Sequence, residues 1–166
     1  YDGVASASLV KRLIFHWSMV AGRRIVTQLY QGKTPGGWSG FCYGIARKLV
    51  FDKISARLGG RLRLAVSGGA PLGGKIMEFF WIVGVPILEG YGLTETSPVI
   101  TINRFGEVLP GCVGRPLYKD WNGRPFVKIA DDGEILCQGP NIMVGYWNNE
   151  QATREAIGAD GYFHTG

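Results

Sequence analysis

The chain has 166 residues, 46% of them hydrophobic and 19% charged, with a net charge of +5 and 26 glycines. That balance allows a normal core and excludes a fibrous or disordered chain, while the glycine content points to tight turns and ligand loops rather than a helical bundle. Residues 1–60 hold nine Lys and Arg against two Asp and Glu, and residues 61–166 hold nine against eleven. A basic first third can meet phosphates or an anionic membrane, or simply be the solvated face of ordinary helices.

In chain order, Leu9, Leu13, Trp17 and Val20 recur at helical spacing and predict a helix from residue 8 to about 30, with Gly22 as a weak point. Lys11, Arg12, Arg23 and Arg24 interrupt this apolar stretch and exclude a membrane span, and no signal peptide is visible. Gly32 to Gly40 reads as a flexible connection. Its Gly-Lys-Thr triplet is not a phosphate loop, because Thr27 stands where the motif needs glycine and no strand precedes it.

A second helix is expected over residues 41–58, closed by Gly59-Gly60. Leu62 to Val66 reads as a buried strand, residues 73–83 as a helix packed on it, and Pro86 to Glu89 as the next strand. Strand, helix and strand at this spacing predict a βαβ unit with parallel pairing.

The character changes near Leu109. Asn122-Gly123 is a hairpin turn signal. Phe126–Ala130, Asp131-Asp132-Gly133 and Glu134–Gln138 form a second expected hairpin, and Asn149 to Ile157 a short helix capped by Asn148 or Asn149. The fold class is therefore α/β plus β, in two parts. Residues 1–108 would be part of an α/β subdomain, and residues 109–166 part of an antiparallel β-barrel subdomain.

Cys42, Cys112 and Cys137 are odd in number and lack CxxC spacing, which excludes a disulfide framework and a zinc site and fits a reducing compartment. The chain opens at Tyr1 and closes at His164-Thr165-Gly166 without a polar tail, and reads as a piece of something longer.

Two turns carry the candidate chemistry. Ser67-Gly68-Gly69-Ala70-Pro71-Leu72 follows the first strand and Gly90-Tyr91-Gly92-Leu93-Thr94-Glu95-Thr96 ends the second. Ligands of parallel sheets bind at the carboxyl ends of strands, where both turns fall. Gly69, Ala70 and Pro71 let peptide groups approach a flat ligand, or simply turn the chain into a helix with Pro71 at its first position. Tyr91 stacks on a purine or packs in a core. Thr94 donates to a phosphate or bonds its own turn. Glu95 coordinates magnesium or is a surface acid. Asp120, Asp131 and Asp132 sit in turn contexts, and His16 and His164 receive no role.

Together with Pro110–Pro116, Gly133–Leu136, Gly139–Trp147 and Asp160–Gly166, these turns resemble the acyl-adenylate-forming (AMP-binding) synthetases, most closely the bacterial long-chain fatty-acid CoA ligases. The resemblance covers residues 61–166, with a looser match before. It implies a central piece of such an enzyme: the βαβ parallel-sheet portion of a large N-terminal domain, then part of its β-barrel. The implied reaction joins a fatty acid to ATP as an acyl-adenylate, then transfers the acyl group to coenzyme A. Thr94 and Glu95 would be catalytic, with Thr94 on the phosphate and Glu95 on Mg2+. Gly69, Ala70 and Pro71 would line the adenine of ATP or AMP, and Glu89, Gly90, Tyr91 and Gly92 would frame it. The fatty-acyl pocket would lie near Gly90 to Thr96 and the helix Gly73 to Val83.

The family's phosphate loop, ribose-binding aspartate and C-terminal catalytic lysine do not occur in the chain, so it is expected to be inactive alone. Its partners would be small molecules (fatty acid, ATP, coenzyme A), not nucleic acid. It would be cytoplasmic, with peripheral attachment to the inner membrane face open. Enzymes for other carboxylic acids, or a nucleotide-binding module without chemistry, remain the alternatives.

Overall fold

A computed structural model describes residues 8–166. The first seven residues of the expected α/β part lie outside the described residues.

The first predicted helix is two helices, α1 (Leu9–Arg23) and α2 (Val26–Tyr30), broken at Arg24-Ile25. Gly22 is not the break. It lies inside α1, where a Cβ would run into the side chain of Ile82. The residue is small because two helices touch there. The expected connection to Gly40 is shorter, since α3 (Gly37–Ala46) already starts at Gly37. It passes through a π-helical turn (Arg47–Phe51) into α4 (Asp52–Arg57). Gly59 at φ 91 closes α4 as expected: the Gly59 and Gly60 N–H groups turn back to the carbonyls of Ala56 and Ser55.

Strand β1 is Ala65–Ser67, starting three residues and ending one residue later than predicted, and Val66 is exposed rather than buried. Helix α5 (Gly74–Val83) follows, with Gly73 at its N-cap, so Pro71 precedes the helix and does not open it. Strand β2 (Ile87–Tyr91) pairs parallel to β1, Ala65 with Ile87 and Ser67 with Glu89. The βαβ unit stands, but the sheet does not continue parallel. Strands β3 (Thr101–Ile102) and β4 (Arg115–Pro116) add antiparallel, in the order β1-β2-β3-β4.

The first core lies where α1 to α5 meet. Ile25, Ala46, Phe51, Met77 and Ile82 are fully buried in it. Two polar tips on buried rings find backbone partners there: Tyr43 Oη donates to Ile82 O and Trp81 Nε1 to Ile87 O, each at 2.8 Å.

Strands β5 (Asp120–Trp121) and β6 (Arg124–Pro125) form the first predicted hairpin, with Asn122 (φ 50) and Gly123 (φ 74) as its left-handed turn pair. Asp120 thus lies in a strand. Strands β7 (Val127–Ile129) and β8 (Ile135–Cys137) form the second hairpin, and β9 (Phe163–His164) adds to β8. Between β8 and β9, α6 (Glu150–Ala156) is capped by Asn149, which accepts Ala152 N at 3.1 Å. Ile100, Phe126, Cys137 and Phe163 form a second core. These sheets are open, and no closed barrel forms among the described residues. The three cysteines are free. Among the described residues, no helix is long and apolar enough to cross a membrane.

Candidate functional site

The parallel pairing of Ser67 with Glu89 sets the ends of β1 and β2 side by side. The two motif turns leave the sheet at one edge, as the strand–helix–strand spacing requires. Gly69, Ala70 and Pro71 are exposed there, with Gly69 at φ 80.

Glu89 does more than frame this edge. Its side chain is buried, and Oε1 accepts Leu72 N at 3.0 Å while Oε2 accepts Gly111 N at 3.4 Å. One carboxylate thus ties the Gly68–Leu72 turn and the Pro110 loop to β2. Asn103, which the sequence did not single out, works beside it. Its N–H donates to Glu89 O at 2.8 Å, its Nδ2 to Cys112 O at 2.5 Å, and its Oδ1 accepts Leu109 N at 3.2 Å.

Tyr91 pairs with Thr101 across β2 and β3. It is half-buried, packed against the second core, so both readings of the ring keep part of their basis. At Gly92 a Cβ would collide with the carbonyl of Pro98. The chain folds back on itself here, and the glycine serves that closure.

The next residues form a 3-10 turn, Thr94–Thr96. Thr96 is its internal lock: Oγ1 accepts Leu93 N at 2.9 Å and donates toward Leu93 O and Pro98 O, both at 2.9 Å. This satisfies Thr96 inside the turn and leaves Thr94 exposed.

The segment Gly139–Trp147 braces the same turn from outside. Met143 N donates to Glu95 O and Asn141 Nδ2 to Thr96 O, both at 2.8 Å. Tyr146 Oη donates to Glu95 Oε1 at 2.8 Å. The N–H of Glu95 itself and then the Tyr146 phenol hold the Glu95 carboxyl below its usual range, and the same bond pushes the Tyr146 phenol up. Asn141 and Tyr146 were not predicted as site residues. Only the motif they share is legible before folding, because their partners lie 45 and 51 positions away.

The two remaining motifs meet each other instead. Glu134 accepts Gly166 N at 2.8 Å and contacts His164 Nδ1 at 3.0 Å. This gives His164 a structural partner. Gly133–Leu136 and Asp160–Gly166 therefore build the β8–β9 edge, while the other four motifs converge on Glu89, Glu95 and Thr96.

No group of three or more His, Cys, Asp or Glu able to hold a metal occurs among the described residues. Magnesium does not require one: it is commonly bound by one or two carboxylates plus substrate phosphates and water. Glu95, ionised and held by the side chain of only one other residue, fits that pattern.

The family model described as AMP-binding enzyme matches residues 20–147. Long-chain-fatty-acid–CoA ligase FadD15 of Mycobacterium bovis is 46% identical over 124 residues, covering 75% of this chain and 20% of that protein. Peroxisomal long chain acyl-CoA synthetase 7 of Arabidopsis thaliana is 37% identical over an alignment of 186 residues, covering 100% of this chain and 24% of that protein. The chain thus spans a fifth to a quarter of the length of these relatives. Among solved structures, a benzoate CoA ligase from Burkholderia xenovorans is similar at a TM-score of 0.51 and 31% identity, over 63% of this chain and 22% of that one.

Proposed function

The chain belongs to the AMP-binding enzyme family, and on that premise we propose that it is part of an acid–thiol ligase that activates long-chain fatty acids with ATP and passes them to coenzyme A. The observation that carries this reading is the convergence of the Gly68–Leu72 and Gly90–Thr96 turns on one sheet edge, fastened by Glu89. The names of the similar proteins support the fatty-acid substrate.

In the first step a carboxylate oxygen attacks the α-phosphorus of ATP, and the bond to pyrophosphate breaks. In the second, the thiol sulfur of coenzyme A attacks the acyl carbonyl and loses its proton to solvent, and AMP leaves with the electron pair of the broken acyl–oxygen bond. The residues of this chain bind and orient. Gly69, Ala70 and Pro71 offer exposed backbone to the adenine, and Gly90, Tyr91 and Gly92 frame it, with Glu89 holding the frame together. Thr94 donates its hydroxyl to a phosphate oxygen, and Glu95 holds magnesium. When bound, magnesium neutralises phosphate charge as it develops.

A division near residue 108 between an α/β and a β-barrel subdomain belongs to the same reading, supported by Phe126, Cys137 and Phe163, which build most of the second core beyond that point, while Ile100 and the pairing of β3 with β4 tie the two parts together. So does a cytoplasmic location with peripheral attachment to an anionic membrane. The exposed rings of Trp17, Trp38 and Phe41 beside the basic α1 support that attachment.

A second reading, an aryl-acid ligase, is favoured by the likeness to the benzoate CoA ligase. ATP–pyrophosphate exchange by the natural full-length protein separates the two. Exchange driven by palmitate and abolished by Glu95→Ala is expected. Exchange with benzoate but not palmitate would replace the fatty-acid reading, and no exchange with any carboxylic acid would sink both.

A further inference from the structure

We propose that Tyr146 is a positioning residue for the Glu95 carboxylate, fixing which of its oxygens faces the magnesium–phosphate group. The inference rests on the reading of Glu95 as the magnesium ligand given above.

A glutamate on a three-residue turn has a long, freely rotating side chain, and a metal needs one of its oxygens in one place. The Tyr146 phenol takes Oε1 at 2.8 Å, and the only other donor to the carboxylate among the described residues is the N–H of Glu95 itself. A carboxylate held by a single outside side chain suits an ion that keeps near-octahedral geometry and fills its other positions with phosphate and water.

The phenol is itself fixed from both sides. Met143 N to Glu95 O and Asn141 Nδ2 to Thr96 O lock the two backbones together at 2.8 Å each. On the far side, Tyr146 N donates to Thr153 Oγ1 at 2.9 Å, and that hydroxyl donates to Asn149 O at 2.9 Å. The first turn of α6 therefore aims Tyr146, and Tyr146 aims Glu95. Partners that orient a metal ligand in this way commonly change metal affinity by roughly 10–100-fold when removed.

The test is the affinity of the full-length protein for ATP, measured by titration calorimetry with magnesium and with EDTA. The ratio of the two affinities reports the coupling between magnesium and nucleotide. Tyr146→Phe removes one hydroxyl from a residue that is 39% exposed and retains the ring. It is expected to shrink the ratio roughly tenfold and to leave the affinity in EDTA unchanged. A residue that only stabilises the fold would weaken both affinities together, and that result overturns the proposal. A wild-type ratio in Tyr146→Phe beside a reduced ratio in Glu95→Gln also overturns it while leaving Glu95 in place. A wild-type ratio in Glu95→Gln removes the magnesium reading, and this inference with it.

Discussion

The buried carboxylate of Glu89 accepts the backbone N–H of Leu72 at 3.0 Å, joining the end of β2 to the turn that follows β1. Hydrogen bonds to charged groups contribute about 1.5–3 kcal/mol. Glu89→Ala should therefore lower unfolding stability by about that amount, read as a fall in the urea midpoint. It should also weaken ATP binding, because the Gly68–Leu72 turn is released. Full stability with full affinity in the variant would show that the turn holds its shape without this tether.

Tyr91 offers a separable test of the base site. Tyr91→Leu keeps apolar packing against the second core and removes the aromatic face. A stacked ring contributes about 0.5–1.5 kcal/mol beyond burial, so the ATP dissociation constant should rise roughly two- to thirteenfold. An unchanged constant would assign the ring wholly to the core.

The cysteines should differ in reactivity. Burial pushes the Cys137 thiol up to about 11, whereas Cys112 is exposed. Since the thiolate is the reactive form, iodoacetamide at about pH 8 should label Cys112 in the native protein and Cys137 only after unfolding. The stability linked to Cys137 is complete below the ordinary thiol value of 9.0 and is lost as pH rises toward about 11. Equal labelling rates in the native state would contradict the buried position.

Asp160 gives the opposite sign. Its bond to Lys128 at 2.8 Å holds the carboxyl below the ordinary value of 3.8. A depressed carboxyl contributes stability that is complete above 3.8 and lost as pH falls below it. Urea midpoints at about pH 6 and about pH 3 should therefore differ less in Asp160→Asn than in the wild type. An identical difference in the two proteins would mean that the pair adds nothing to acid sensitivity.

What was legible in the sequence was local chemistry. Asn122-Gly123, Gly59-Gly60 and Asn149 act through their own backbone conformation or a bond within a few residues, and each stands where it was expected. The position of β1 was not legible. The apolar run Leu62–Val66 marks a strand, but the bond from Ala65 N to Pro86 O and the pairing with Ile87 set where pairing begins. The start of α3 was hidden for a similar reason: a glycine-rich segment reads as a loop until packing holds it as helix. At the candidate site, Thr94 and Glu95 are proposed from their motif. Asn103, Asn141 and Tyr146 could not be named that way, because each acts through a backbone or side chain that only the folded chain brings near.

The closure at Gly92 has a consequence for how such chains are found. A letter in a sequence signature can record either chemistry or shape, and the last glycine of Gly-Tyr-Gly records shape, because the Pro98 carbonyl fills the space a methyl group would need. A relative that had exchanged both Thr94 and Glu95 would still be obliged to spell that glycine. Searches keyed to it will gather chains by that shape, whatever residues they carry at the two positions that follow Leu93.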